Sequence, residues 1–121
     1  MRKDSFCICF LQKDEDDKYK IVALKVSGYT DGDIGLHKTQ SFGMSREGWV
    51  ATHLETGNKL TPTAVIHKTP KAALNEARKI IAENPNYEKR IQQVKEGSIY
   101  KEFLQLRNNQ TITYNFVGGG R

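Results

Sequence analysis

The alternation of apolar and polar residues predicts strands in the first half of the chain and helices in the second. Residues 6–11 are apolar on both faces, which is typical of a strand covered on both sides in the middle of a sheet. A charged turn at residues 13–18 leads to a second strand over residues 19–26, expected to be antiparallel to the first. After a glycine-containing turn region over residues 27–35, we expect a mostly polar third strand at a sheet edge over residues 36–44.

The clearest local pattern is a central hairpin followed by a helix. Strands are predicted over residues 49–54 and 59–67, joined by a Thr-Gly-Asn turn, and Pro62 interrupts the second of them. A helix is predicted over residues 70–83 because Thr69 is a good N-cap and proline occupies the first helical position. The apolar residues that follow repeat at the spacing of one helix face, so the chain changes here from strands to helices.

The remaining residues predict a second helix, a third helical segment and a last strand. The second helix is expected to begin at Asn86. Residues 98–107 fit either a third helix or a continuation of the second helix through Gly97, and their helix-forming residues favour a helix. Residues 111–117 are β-branched and aromatic, which predicts a strand that rejoins the sheet. Residues 118–121 are expected to form a flexible glycine-rich tail.

Together these elements predict an α+β fold: a mainly antiparallel sheet of four to six strands, with two or three helices after the central hairpin. The 121 residues fit one domain, expected over residues 1–117. Hydrophobic residues make up 37% and charged residues 27% of the chain, and no apolar run is long enough to cross a membrane. The apolar stretch near the N-terminus is too short for a signal peptide, so we expect a cytoplasmic protein without a membrane partner.

Positive charge is concentrated after the first third of the chain. The formal net charge is +5, but residues 1–34 carry six Lys or Arg against seven Asp or Glu. Residues 35–121 carry thirteen against seven, so the basic excess lies with the central hairpin and the helices. This distribution permits an anionic partner such as nucleic acid.

Side chains that can carry chemistry are present without a motif that organises them. Cys7 and Cys9 share one side of a strand, where we expect small buried apolar groups and neither a disulfide nor a zinc pair. His37, His53 and His67 leave a His–Cys pair or a three-histidine metal site open, but their spacing matches no metal, phosphate-loop or nucleophile motif. We therefore expect no enzymatic activity, no cofactor and no bound metal.

A basic sheet that leads into a helix beginning with cations favours nucleic-acid binding. Backbone N–H groups at a helix N-terminus attract phosphate, and an indole ring can stack on a base. The alternative is that the tryptophan packs between sheet and helix while the cations form the solvated side of an amphipathic helix. The predicted nucleic-acid-binding residues are Arg46, Trp49, Lys59, Lys68, Lys71 and Arg78.

Two known arrangements resemble parts of this pattern. Residues 48–73, with Trp49 on a strand, the Thr56-Gly57 turn and Lys68 before the helix, resemble the sheet-and-helix DNA-binding domains at the N-termini of tyrosine integrases. The order of four or five strands followed by a helix is similar to that of PUR-type single-strand binders. Each resemblance covers under half of the chain and includes no diagnostic motif, so we assign the chain to neither family.

The function that these patterns favour is non-catalytic binding of DNA or RNA through the basic sheet and helix surface. The alternative is a protein-interaction or regulatory module, such as a homodimer formed through an exposed strand edge, with no nucleic-acid role. Nucleic-acid binding predicts a contiguous positive surface and an affinity that falls steeply with salt. An interaction module predicts an exposed apolar patch instead.

Overall fold

The computed structural model describes residues 1–13, 15–38, 48–61 and 67–109. Its elements in chain order are β1 (Arg2–Lys13), β2 (Tyr19–Asp31), β3 (Ile34–Lys38), β4 (Trp49–His53), α1 (Pro70–Glu83), α2 (Tyr87–Lys95) and α3 (Ser98–Asn109). The four strands form one antiparallel sheet in the order β1-β2-β3-β4. A four-stranded antiparallel sheet followed by three helices confirms the predicted α+β fold.

The β1–β2 hairpin is longer than its apolar residues predict. The register pairs Arg2 with Thr30 and continues without interruption to Lys13 opposite Tyr19. The end of β2 also pairs with β3, so the predicted turn over residues 27–35 is wrong in its extent. The turn itself is short because Gly32 adopts a φ of +62°, a conformation that favours glycine.

Two predicted strand positions are wrong. Among the strands that the structure describes, residues 6–11 lie on β1 at one edge of the sheet and not in its middle. The third strand, predicted at an edge over residues 36–44, is β3 and lies between β2 and β4. Its residues from Ile34 to His37 are buried between the two neighbouring strands. Ile34 and Leu36 pack under α1, whereas Gly35 and His37 lie on the other face against Phe6. Residues 39–47 lie outside the described part of the chain.

Each face of the sheet carries its own apolar cluster, because directly paired residues project from the same face. One cluster, here called the β1–β2 cluster, consists of Ile8, Val22, Leu24 and Val26, with Phe6 and Phe10 against it. The other, here called the α1 cluster, consists of Ile34, Leu36 and Ala51 on the sheet and Ala73, Leu74 and Ala77 on α1. Burying such side chains contributes roughly 1.5–3 kcal/mol each for the larger ones.

The helices follow local signals closely. The predicted bounds of α1 are confirmed, and the Thr69 Oγ1 accepts the Ala72 N–H at 3.1 Å as an N-cap should. The third helix begins at Ser98 after a break at Gly97, so residues 98–107 do not continue the second helix. None of the residues of α2 is fully buried, whereas Phe103 of α3 is completely buried.

The return strand predicted over residues 59–67 is reduced to two isolated bridges in the described residues. Lys59 pairs with Thr52, and His67 pairs with Trp49. The intervening residues 62–66, which include the predicted interruption at Pro62, lie outside the description. So do the strand predicted over residues 111–117 and the predicted tail, and the single domain over residues 1–117 stays a prediction.

The turn after β4 reaches the opposite edge of the sheet. This turn, residues 54–58, is here called the Gly57 turn. The Cys9 N–H of β1 donates to the Gly57 carbonyl at 3.0 Å, although β1 and β4 are the two edge strands. The sheet must therefore curl, and the Phe6 ring of β1 accordingly lies against Gly35 of β3. On the α3 side, Arg107 donates from Nη1 to the Leu54 and Glu55 carbonyls at 3.2 and 2.9 Å.

Gly57 should be the least replaceable glycine of this closure. Its φ is +71°, and a Cβ there would lie 2.6 Å from Phe103 Cζ and 2.7 Å from the Cys9 nitrogen. We expect Gly57→Ala to lower the free energy of unfolding by about 3 kcal/mol, from backbone strain plus overpacking. Urea denaturation measures the loss.

Gly32→Ala is the matched control. Gly32 also has a positive φ, but nothing lies within 4 Å of the Cβ that alanine would add. Gly32→Ala should therefore lower the free energy of unfolding only by the cost of the strained backbone, about 1 kcal/mol. Equal losses in the two variants would show that the contact of the Gly57 turn with β1 and α3 does not constrain residue size.

Candidate nucleic-acid interface

Trp49 lies in a row of side chains that crosses three neighbouring segments. Lys38 of β3 pairs with Trp49 of β4 on one side, and His67 pairs with it on the other. The Trp49 N–H donates to the His67 carbonyl at 2.7 Å, and the His67 N–H donates back at 3.2 Å. Directly paired residues share a face, so the three side chains emerge together on the face that α1 covers.

The Trp49 ring is half-buried and takes part in packing. It lies against the α1 cluster, and its centroid is 5.7 Å from that of the Tyr29 ring at an interplanar angle of 44°. At least part of the Trp49 side chain therefore packs between the sheet and α1, as the alternative to base stacking predicted. A stacking role for the exposed remainder of the ring stays a prediction.

Lys68 and Lys71 flank the start of α1, close to this row. Lys68 directly follows His67, and Lys71 lies in the first turn of α1, where the helix carries no acidic residue. Both side chains are exposed. Neither lysine forms an ion pair in the part of the chain that the structure describes. No described carboxylate therefore neutralises the charge of Lys68 or Lys71.

Arg78, two turns further along α1, has a matched charge. Its guanidinium forms an ion pair with the carboxylate of Asp31 at the end of β2. The same carboxylate lies 3.7 Å from the N-terminal ammonium of Met1. Because this pair links α1 to β2, Arg78 has a structural role that the helix pattern alone does not reveal.

Lys59 lies on the other face of the sheet. It pairs with Thr52, whose side chain points away from that of Trp49 because strand residues alternate between faces. Its charge also acts on the buried His37, which belongs to that other face. Arg46 lies outside the described residues. The structure thus groups Trp49, Lys68 and Lys71 and separates Lys59 from them.

Lys38 belongs beside this group, and the sequence alone did not single it out. Only the register of β3 against β4 places it opposite Trp49. The candidate surface that remains, here called the α1-start surface, consists of Lys38, Trp49, His67, Lys68 and Lys71.

The three histidines lie in different places. His37 is buried, donates from Nδ1 to the Lys38 carbonyl at 2.8 Å and accepts at Nε2 from the Thr52 hydroxyl at 3.2 Å. His53 is buried under α2 with its Nδ1 2.9 Å from Thr56 Oγ1. The Nε2 of His67 is buried and makes no hydrogen bond to any residue that the structure describes. Among the described residues, no three His, Cys, Asp or Glu side chains form a metal-binding group.

Cys7 and Cys9 are free thiols, each half-buried on β1. Burial raises the pKa of both thiols, which disfavours the nucleophilic thiolate. Arg107 and Lys25 oppose that pKa shift at Cys7, whereas Glu102 adds to it at Cys9.

Comparisons with protein-family models, with curated proteins and with solved structures find no match to this chain. None of the described helices has both the length and the apolar character needed to span a bilayer.

Stability should fall with acid because His37 is buried in its neutral form. Burial lowers the pKa of His37 from 6.5 to about 4. As the pH falls, His37 takes up a proton in the unfolded chain before it does so in the folded protein. The stability that neutral His37 contributes is therefore complete above pH 6.5 and is lost as the pH falls to about 4. The loss attributable to His37 should be about 3 kcal/mol at its largest.

His37→Gln provides the test, since glutamine can hydrogen-bond but does not titrate. Urea denaturation of both proteins from pH 7 to pH 4 should give a flatter pH dependence for the variant. All other titrating groups are shared, so the difference between the curves isolates His37. Parallel curves would mean that His37 does not carry this pH dependence.

Proposed function

We propose that this protein binds nucleic acid without catalysing a reaction, using the α1-start surface. The observation that carries the proposal is the pair of exposed lysines, Lys68 and Lys71, whose charges no described carboxylate matches. Phosphate groups of a nucleic-acid backbone are the ligands that such ammonium groups bind as point charges.

The charge of the surrounding chain supports this choice. The chain carries a net charge of +5, and its basic excess lies after residue 34. The first turn of α1 adds the positive end of a helix dipole and contains no acidic residue to oppose a phosphate. These features act in the same direction as Lys68 and Lys71, which lie within that part of the fold.

The packing of Trp49 indicates how the surface is held in place. Its ring packs the start of β4 against Tyr29 and the α1 cluster. Its backbone hydrogen bonds hold His67, the residue before Lys68, against β4. The lysines therefore extend from a packed junction between the sheet and α1. Contacts from such a junction bind the backbone of DNA or RNA largely without regard to sequence.

Removing the two lysines should weaken binding and reduce its salt dependence. Each phosphate contact contributes about 0.9 to the slope of log affinity against log salt on duplex DNA. We expect Lys68→Ala with Lys71→Ala to lower that slope by about 2. Fluorescence anisotropy with labelled single-stranded and double-stranded oligonucleotides, at several salt concentrations, measures both the affinity and the slope.

Lys101→Ala is the matched control, because Lys101 is an exposed lysine on α3, away from the start of α1. It removes one positive charge from a different surface. If the control loses as much affinity per lysine as the double variant, binding depends on net charge only. If the wild-type protein binds neither oligonucleotide at low salt, the proposed function is wrong.

A second candidate, a protein-interaction module that associates with itself, is favoured by one observation on the β1–β2 hairpin. Leu11 and Tyr19 project from the same face of the hairpin, and they are 50% and 68% exposed. Ile21, which pairs with Leu11, extends this apolar area. Such a patch is typical of a surface that another protein covers.

Sedimentation velocity tests the self-association that this candidate requires. If the patch forms a dimer, the wild-type protein should change from monomer to dimer with rising concentration, and Leu11→Ser with Tyr19→Ser should remain monomeric. Ile99→Ser is the control, because Ile99 is 50% exposed but lies on α3. A wild-type protein that stays monomeric throughout would leave no support for a homodimer.

A further inference from the structure

The Gly57 turn holds two distant parts of the fold through its backbone. Its Gly57 carbonyl accepts the Cys9 N–H of β1 at 3.0 Å. Its Leu54 and Glu55 carbonyls accept from Arg107 near the end of α3. Any change in the conformation of this turn must therefore disturb β1 and α3 together.

A buried histidine fixes the conformation of the turn from within. Thr56 directs two groups at His53 Nδ1: its hydroxyl at 2.9 Å and its backbone N–H at 3.4 Å. A backbone N–H can only donate, so Nδ1 must be unprotonated and the ring carries its proton on Nε2. The Gly57 N–H in turn donates to the His53 carbonyl at 2.7 Å, which ties the ring and the turn together.

The ring is shielded from water but lies among charged groups. His53 is 4% exposed. The groups that face it are Asp33 in the β2–β3 turn, with Oδ2 3.9 Å from Nε2, Glu55 in the Gly57 turn, and Tyr87, Glu88 and Lys95 of α2. Burial is the largest influence and lowers the pKa of His53, as Lys95 does, while the three carboxylates oppose that shift.

We propose that His53 and the Gly57 turn form an acid-sensitive latch, in which proton uptake at His53 Nδ1 releases the turn from β1 and α3. A proton on Nδ1 converts the acceptor into a donor that faces the Thr56 N–H. The Thr56 hydroxyl can rotate to accept this proton, but the backbone N–H is fixed by the turn. The repulsion is relieved only when the turn changes its conformation.

Protonation and release are coupled by linkage. The pKa of His53 is closer to its ordinary value when the turn is released than when it is latched. In the released state the ring regains contact with water and loses the two Thr56 donors. Between the two pKa values, the ratio of released to latched turn should rise about tenfold for each unit that the pH falls. The neutral-pH form is thus the closed one, and acid opens it.

Amide hydrogen exchange followed by NMR tests the latch directly. The Cys9 N–H reports the bond to the Gly57 turn, and the Val22 N–H in the β1–β2 ladder reports unfolding of the hairpin as a whole. From pH 7 to pH 4, with rates normalised to intrinsic exchange, we expect Cys9 protection to fall about tenfold or more as the His53 ring titrates. Val22 protection should stay several-fold higher throughout.

His53→Asn is the matched variant, because its Oδ1 occupies the position of Nδ1 and can accept from Thr56 at every pH. Cys9 protection should then be nearly independent of pH, while the carboxylates and His37 still titrate. If this variant does not fold, the wild-type titration still decides, since the midpoint for Cys9 must coincide with that of the His53 ring. Equal losses at Cys9 and Val22, or a Cys9 midpoint that follows His37, would overturn the proposal.

Discussion

One contact between chain segments distant in sequence, the Gly57 carbonyl against the Cys9 N–H, determines the shape of the sheet. It joins the turn after β4 to the far edge of β1, which a flat four-stranded sheet cannot do. The curl that results brings the Phe6 ring over Gly35 and leaves room at Gly57 for the Phe103 ring, but none for a Cβ. The position of α3 therefore depends on the same contact as the closure of the sheet.

The fold uses neutral histidines as hydrogen-bonding groups on both sides of this closure. His37 connects the Lys38 carbonyl to the Thr52 hydroxyl on one face, and His53 accepts from Thr56 inside the turn. In each case the protein environment favours the uncharged ring, since burial opposes the imidazolium. Polar groups buried in this way are stable only while their protonation state matches their partners.

Local signals in the sequence predict local structure well. They do not predict which distant segments pair with one another. Thr69, the proline after it and the apolar repeat of α1 lie next to one another, so the helix and its cap could be predicted from adjacent residues. The apolar run on β1 is typical of a central strand, because it is apolar on both faces. In the described sheet β1 lies at an edge, and the turn that contacts this edge is distant in the sequence. Likewise, β3 is central only because of its register with β2 and β4.

The same distinction separates the predicted site residues. Lys68 and Lys71 are close in sequence to the cap of α1, so their common position followed from local structure. Whether a cation is available for a ligand depends instead on partners that folding brings to it. Asp31 reaches Arg78 from β2, and strand register turns Lys59 towards the other face. A count of basic residues therefore overestimates a binding surface, and the cations that the fold leaves unmatched define it better.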